Sequence, residues 1–220
     1  MRPYLNLAGG GQGFQRIFLT REVPEVFAQP DPLPDDLPVP IDDGAARHLP
    51  GRKLPPLSFV AIDGSQVRLT KVSDGRWVLF IYPSTGKPGE AVPKGWNEIP
   101  GARGCSQEVC SFRDLMTELS EHGAKRVLAL SSDRTEYQQA LVHLFQLPYS
   151  LISDPALSLA EALKLPTFEA FGKRWYKRLS MVVFGDTIEY AFYPIFPPNA
   201  HASEVLEWLR ANPVRTLTKH

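Results

Sequence analysis

The chain has 220 residues, 43% of them hydrophobic and 22% charged, so it is long enough to bury a sizeable core within one domain. Its 24 basic and 24 acidic residues balance, so no overall charge favours a nucleic acid or an anionic membrane as partner. No run of about 18 apolar residues predicts a membrane-spanning helix. The start, Met1–Tyr4, is not followed by the apolar segment of a secretion signal. We therefore expect a cytoplasmic protein, with organelle import as the alternative.

The first 46 residues are predicted to form an N-terminal extension. Between Glu22 and Ala46 there are seven acidic residues, six prolines and no basic residue. Because this composition disfavours both a helix and a buried core, the segment is expected to be disordered or to form an extended arm. The folded domain is predicted to span residues 47–213, with a short basic tail at 214–220.

The domain is predicted to open with strands. Ser58–Ile62 and Gln66–Leu69 flank Asp63-Gly64, a dipeptide typical of hairpin turns. Trp77–Tyr82 is continuously apolar, as expected of a central strand that is buried on both faces. A loop then runs from Pro83 to Gly104, and loops of this length are usually functional or disordered.

The chain's two cysteines, Cys105 and Cys110, directly follow this loop. The segment from Cys105 to about His122 is predicted to be one amphipathic helix. At about 100° per residue, Cys105 falls on the apolar face with Phe112, whereas Cys110 falls on the polar face, near the surface. Because a helix N-terminus favours a thiolate over a thiol, we expect a lowered pKa for Cys105.

These two thiols leave several interpretations open. Cys105 could be a small buried hydrophobic residue, but this would not explain Cys110, because an exposed free thiol is generally a liability. Two cysteines without a nearby pair of histidines supply too few ligands for zinc, so no metal and no cofactor is expected. In an intact helix, Cα atoms five residues apart are separated by about 8.7 Å, whereas a disulfide needs less than about 7 Å. A Cys105–Cys110 disulfide would therefore require the first turn to unwind.

The rest of the domain is predicted to alternate between strands and helices. In chain order these are a strand at Arg126–Leu130, a helix opened by a capping box at Asp133–Glu136, a strand at Tyr149–Ile152, a helix from Asp154 to about Leu163, a hairpin of Lys177–Phe184 with Thr187–Tyr193, and a final helix at about His201–Ala211. This order predicts an α/β fold, a mixed-sheet sandwich of thioredoxin type. The start of the cysteine helix would lie at the carboxyl edge of the sheet, where ligands of such folds bind.

Several short motifs follow one another across about residues 50–212. They are Tyr82-Pro83, Gly104-Cys105-Ser106 with Cys110 five residues after the first cysteine, Phe112-Arg113-Asp114, Arg178-Leu179-Ser180 and Val205-Leu206-Glu207-Trp208-Leu209. Through these motifs the chain resembles the peroxiredoxins, specifically their bacterioferritin-comigratory-protein (PrxQ) branch.

The resemblance implies a thiol peroxidase with two catalytic cysteines. Cys105 matches the peroxidatic cysteine, which a hydroperoxide oxidises to a sulfenic acid, and Cys110 matches the resolving cysteine. Arg178 matches the arginine that holds the thiolate and hydrogen-bonds the peroxide. From the residues alone, Arg178 is expected to be a partly exposed charge at the start of a strand, with a purely solvated role as the alternative. The implied partners are a peroxide and a thioredoxin-like reductant, and the implied state is a monomer or weak homodimer.

One position departs from the pattern of this family. The family carries a hydroxyl side chain three residues before the peroxidatic cysteine, where this chain has Ala102. About 15 residues are inserted between Tyr82-Pro83 and Cys105 relative to the family. Thr85 is a candidate for the missing hydroxyl. Arg103 could add positive potential at the site, or it could be a solvated loop charge.

Two other functions compete with this interpretation. A thiol-disulfide oxidoreductase of thioredoxin type needs Cys-x-x-Cys and a proline in the facing strand, and this chain has neither feature at the matching positions. A redox-sensing or interaction module, in which the acidic arm engages a partner, also fits a reactive cysteine pair. A sensor would be oxidised once, whereas a peroxidase consumes peroxide repeatedly.

Overall fold

The structure, a computed structural model, describes residues 28–86 and 90–214. Its strands are β1 (Ser58–Val60), β2 (Gln66–Arg68), β3 (Arg76–Tyr82), β4 (Val127–Ser131), β5 (Ser150–Ser153), β6 (Thr167–Ala170), β7 (Lys173–Tyr176), β8 (Leu179–Phe184) and β9 (Thr187–Phe192). Its α-helices are α1 (Cys105–Asp114), α2 (Met116–Glu121), α3 (Thr135–Phe145), α4 (Ser158–Leu163) and α5 (His201–Ala211). None of the helices in these residues is long and apolar enough to cross a membrane.

A five-stranded sheet in the order β5-β4-β3-β8-β9 organises the domain. Strands β3, β4 and β5 are parallel, whereas β8 pairs antiparallel with both β3 and β9. All seven residues of β3 and all five of β4 are buried, as their continuous apolar runs predict. The predicted mixed sheet of thioredoxin type is therefore confirmed.

Each face of this sheet carries its own hydrophobic cluster. Because side chains alternate along a strand, Trp77, Leu79 and Ile81 of β3 pack on one face with α4, whereas Val78, Phe80 and Tyr82 pack on the other with α1, α3 and α5. The rings of Phe80 and Phe112 stack with their centroids 4.2 Å apart. This stacking fixes α1 against the central strand and so sets the position of its first residue, Cys105.

The single helix predicted from Cys105 to His122 is wrong, since the structure has two helices there. Helix α1 ends at Asp114 and α2 begins at Met116. Between them, Leu115 has φ −104° and ψ 12°, which lies outside the α-helical region.

Helices α3 and α4 also begin later than predicted. Asp133 does not cap α3, which starts at Thr135 without a side-chain cap, because its carboxylate bonds elsewhere. The carboxylate of Asp154 accepts hydrogen bonds from the backbone N–H groups of Ser158 and Leu159, both at 3.0 Å, so it caps α4 from a distance. The short β6–β7 hairpin between α4 and β8 was not predicted.

The described part of the N-terminal extension, residues 28–46, runs along the domain as an extended arm. Near one end, Asp43 accepts hydrogen bonds from Lys177 Nζ and the Tyr193 hydroxyl, both at 2.8 Å, and the bond from Lys177 lowers the pKa of Asp43 to about 2. Near the other end, the carbonyl of Ala28 accepts a bond from Arg113 at 3.1 Å. Packing is continuous across the predicted domain boundary at residue 47, because Ala46 belongs to the hydrophobic core. The earlier part of the extension and the tail from 215 lie outside the described residues.

Candidate active site

A glycine fixes the start of the cysteine helix. Gly104 has φ +100°, and a Cβ atom there would lie 2.2 Å from Cγ of Pro198. Both the backbone conformation and this close approach require glycine. The 3₁₀ helix Pro198–Ala200 can therefore abut the first turn of α1, where Cys105 is only 3% exposed.

A buried guanidinium spans that first turn. One terminal nitrogen of Arg178 donates to Cys105 Sγ at 3.1 Å and to the carbonyl of Arg103 at 3.1 Å. The other terminal nitrogen forms an ion pair with the carboxylate of Glu108, one turn after the cysteine. The sequence-based expectation of a partly exposed Arg178 is wrong, since the residue is 3% exposed. Arg178 directly precedes β8, which pairs with β3, and this pairing places its guanidinium beside the first turn of α1.

The environment of the Cys105 thiol contains opposing influences. Burial raises its pKa, the charge of Arg178 lowers it, Glu108 raises it, and the hydrogen bond from Arg178 lowers it. The net shift is upward, so the prediction of a lowered pKa is wrong for this closed, reduced geometry. A helix N-terminus does not compensate for removing a thiolate from water, and Glu108 shares the only guanidinium that touches the sulfur among the described residues.

The second thiol is also buried, which corrects its predicted place near the surface. Cys110 is 3% exposed and belongs to the hydrophobic cluster around Phe80 and Phe112. The expected polar face of α1 is covered here, because Arg113 spans from α1 to the carbonyl of Phe145 in α3 at 3.0 Å. Burial raises the pKa of Cys110 to about 11, with Arg113 partly opposing the shift. At neutral pH the folded protein holds Cys110 as a neutral thiol.

This burial predicts slow modification of Cys110 in the folded protein. In a Cys105→Ser variant at pH 8, we expect iodoacetamide to alkylate Cys110 about a hundredfold more slowly than in the same variant unfolded in urea. The reason is that the thiolate is the reacting species and a pKa near 11 reduces its fraction by that factor. Mass spectrometry of timed samples measures both rates. Equal rates would contradict the buried position of Cys110.

The first residues of the long loop contact the carboxylate of Asp133. This carboxylate accepts hydrogen bonds from the Ser84 hydroxyl, from the Thr85 backbone N–H at 2.8 Å and from the Thr85 hydroxyl at 3.1 Å. The hydroxyl of Thr85, the sequence-based candidate, is thus bonded to Asp133. Ala102 is buried, and its carbonyl accepts a bond from the Cys105 thiol at 3.5 Å.

A cleft of about 740 Å³ contains Cys105 in its wall. The arm, the loop after β3, the start of α1, helix α3 and the β6–β7 hairpin surround it. One side is aromatic, since Trp96 from the loop contacts Trp175 and Phe171 at centroid distances of 5.2 and 6.1 Å. The half-buried Arg103 also lines the cleft. Within the described residues, no group of three or more His, Cys, Asp or Glu side chains is placed to hold a metal ion.

Known proteins can now be compared with this arrangement, a buried cysteine hydrogen-bonded by a buried arginine at the carboxyl edge of the sheet. Peroxiredoxin Bcp of Escherichia coli (strain K12) is 28% identical over 160 residues, covering 71% of this chain and 92% of that protein. The chloroplastic peroxiredoxin Q of Sedum lineare is 24% identical over 166 residues, covering 76% of this chain and 80% of that protein. The similarity thus extends over nearly the whole domain.

A solved structure agrees with these relatives. The crystal structure of peroxidoxin BcpB from Mycobacterium tuberculosis aligns with a TM-score of 0.61 and 27% identity, covering 77% of this chain and 100% of that one. The Redoxin family matches residues 49–207, which include both cysteines and Arg178. The chain therefore belongs to the Redoxin family and is a peroxiredoxin enzyme of the Bcp/PrxQ-like branch.

Proposed function

We propose that Cys105 is the peroxidatic cysteine of this peroxiredoxin. Its thiolate attacks the terminal oxygen of a hydroperoxide, the S–O bond forms and the O–O bond breaks. The departing oxygen takes up a proton and leaves as water or an alcohol, while Cys105 becomes a sulfenic acid. The observation that carries this proposal is the Arg178 nitrogen 3.1 Å from the sulfur. A cation there stabilises both the thiolate and the charge that develops on the peroxide oxygens.

We further propose that Cys110 is the resolving cysteine. Its thiol attacks the sulfenic sulfur of Cys105, an S–S bond forms, and the hydroxyl leaves as water. Thioredoxin or a similar dithiol then reduces the bridge and is itself oxidised to a disulfide. The placement of both cysteines in α1 supports an intramolecular bridge, provided that the helix unwinds.

The proposed substrates are hydrogen peroxide and organic hydroperoxides. A cleft of about 740 Å³ with an aromatic side can hold a molecule much larger than hydrogen peroxide, which supports including the organic class. A monomer or weak homodimer in the cytoplasm remains the proposed state of the protein, with neither nucleic acid nor a membrane as partner.

The order of oxidation tests the assignment of the two cysteines. In a Cys110→Ser variant treated with limiting hydrogen peroxide, a sulfenate-trapping reagent is expected to label Cys105, because Arg178 and the cleft lie beside that sulfur. Mass spectrometry locates the label. Equally fast labelling of Cys110 in a Cys105→Ser variant would mean that the assignment is wrong.

A turnover assay separates the peroxidase from the redox-sensing alternative. With thioredoxin, thioredoxin reductase and NADPH present, the wild-type chain is expected to consume many equivalents of peroxide, whereas a sensor would consume one. Cys105→Ser should consume none.

A further inference from the structure

Three exposed apolar side chains line the cleft that contains Cys105. They come from three separate elements: Val92 from the loop after β3, Leu144 from α3 and Phe171 from the tip of the β6–β7 hairpin. Single exposed apolar residues scattered over a surface need no explanation, whereas several gathered around one cleft are a feature of binding sites. Among these three, Phe171 has the largest exposed fraction, 52%.

Phe171 has a backbone conformation that disfavours a bulky residue. The hairpin pairs Ala170 with Lys173, so its two central residues are Phe171 and Gly172, with φ of +53° and +74°. Positive φ at both central positions is the pattern of a type I′ turn, in which asparagine, aspartate or glycine is preferred at the first of them. The geometry of the turn therefore does not account for a phenylalanine at this position.

The ring of Phe171 extends an aromatic wall of the cleft. It stacks on Trp96 with the centroids 6.1 Å apart and the ring planes at 26°, and Trp96 contacts Trp175 edge-on at 5.2 Å. The indole N–H of Trp175 donates to the carbonyl of Ala170 at 3.0 Å, so the polar atom of this ring is already paired. The wall therefore offers apolar ring surface to a ligand in the cleft.

A short series of contacts connects this wall to the sulfur of Cys105. Trp96 and Trp175 form one hydrophobic cluster with the buried Ala102. The carbonyl of Ala102 accepts the hydrogen bond from the Cys105 thiol at 3.5 Å. A ligand whose oxygen atoms lie at the sulfur can therefore place an attached apolar group on the wall, within the same cleft.

We propose that Phe171, stacked on Trp96, binds the apolar group of an organic hydroperoxide and thereby favours such substrates over hydrogen peroxide. This inference rests on the role of Cys105 proposed above. An alkyl or aryl group that covers the exposed ring removes apolar surface of both partners from water, which is favourable. Hydrogen peroxide has no such group, so its reaction gains nothing from this contact.

Phe171→Asn tests this role without weakening the hairpin. Asparagine followed by Gly172 is a preferred sequence for a type I′ turn, so the variant is expected to melt at the same temperature as the wild type or higher. Phe184→Asn is a matched control, because Phe184 is 43% exposed and lies beside the β8–β9 turn. It pairs with Arg76 at the start of β3, whereas Ser84, which lines the cleft, follows the other end of that strand.

The rate constants for oxidation of Cys105 are measured in a Cys110→Ser background, by rapid mixing with cumene hydroperoxide or with hydrogen peroxide. For Phe171→Asn we expect the rate constant with cumene hydroperoxide to fall about tenfold, the effect of covering the exposed half of a phenylalanine ring, and that with hydrogen peroxide to change less than about twofold. Phe184→Asn should change neither. A folded Phe171→Asn protein with an unchanged ratio of the two rate constants would overturn the inference. An unchanged ratio together with a raised KM for thioredoxin would assign this surface to the reductant instead.

Binding of cumyl alcohol, the product of cumene hydroperoxide, tests the same surface without any peroxide. The chain has four tryptophans, whose indole N–H signals can be followed by NMR. We expect the signals of Trp96 and Trp175 to shift on titration of the reduced wild-type protein, whereas Trp77 and Trp208, which pack elsewhere in the domain, should not respond. Phe171→Asn should weaken this binding about tenfold. Equal shifts at all four signals, or none, would overturn the inference even if the protein consumes peroxide. Selective shifts in a protein that consumes no peroxide would leave the apolar site standing and refute the peroxidase proposal alone.

Discussion

Replacing Arg178 with alanine is expected to slow the oxidation of Cys105 by hydrogen peroxide about a hundredfold or more, the usual cost of removing one charged contact to a transition state. The guanidinium is 3.1 Å from the sulfur, and its charge opposes the upward shift that burial imposes on the pKa of Cys105. Its loss therefore lowers the thiolate fraction and removes a donor for the peroxide oxygens. Single-turnover kinetics in a Cys110→Ser background measure the rate constant.

The same substitution also destabilises the fold, so the rate needs a control. Without Arg178, the carboxylate of Glu108 is left buried and unpaired, which costs about 3–5 kcal/mol in comparable proteins. Adding Glu108→Gln removes that charge, so the double variant should recover much of the free energy of unfolding. Its rate should stay low. If the rate recovers together with the stability, Arg178 acts on the fold rather than on the reaction.

Glu108→Gln alone is expected to shift the pKa of Cys105 in the opposite direction to Arg178→Ala. Glu108 raises the pKa of Cys105 and shares the guanidinium, so the single variant is expected to have a lower Cys105 pKa than the wild type. Comparing Arg178→Ala, Glu108→Gln and the double variant thus separates the effect of these charges on the pKa of Cys105 from their effect on the stability of the core.

The fold was predictable because its determinants are local in the sequence. The continuous apolar run of β3 is typical of a strand buried on both faces, and Gly185 marks the turn between β8 and β9 at φ +58°. Once β8 is paired with β3, Arg178 must lie near the start of the helix that follows β3. From the sequence, the meeting of Cys105 and Arg178 was implied by the family resemblance alone, and the pairing of β8 with β3 now accounts for it.

The errors arose where tertiary contacts override a local pattern. Cys110 lies on the polar side of a helical projection, but Arg113 and the neighbouring α3 cover it, so position on a helix did not predict its burial. Asp133 fits a capping box, yet its carboxylate bonds a loop that is 48 residues away in sequence. The acidic arm packs along the domain through Asp43 and Lys177, a contact between residues 134 apart.

The second large effect is expected when the two cysteines form a bridge. Both lie in the continuous helix α1, where their Cα atoms are about 8.7 Å apart and must approach by roughly 2 Å or more to form a disulfide. Cys110 must also leave its buried position, and Cys105 must leave the guanidinium of Arg178. Bridge formation therefore requires α1 to unwind at its start.

The arm lies directly on the part of α1 that has to move. The side chain of Gln107 donates to the carbonyl of Asp31, and Arg113 donates to that of Ala28, so both bonds join the arm to residues flanking Cys110. Unwinding the first turns displaces Gln107 and should release the arm at Asp31. Oxidation is thus expected to loosen two segments that are far apart in sequence.

Hydrogen exchange followed by mass spectrometry tests this on reduced and fully oxidised protein. On oxidation, we expect much faster exchange of the amides of Glu108–Phe112, which are hydrogen-bonded in the intact helix. Strands β3 and β4 should keep their protection, because they are buried in the sheet and take no part in the bridge. A Cys110→Ser variant exposed to the same peroxide is the control, since its Cys105 can be oxidised but no intramolecular bridge forms, and its helix should stay protected. Unchanged exchange in a fully oxidised wild-type sample would contradict the unwinding. A dimer on a non-reducing gel would then identify the bridge as one between two chains.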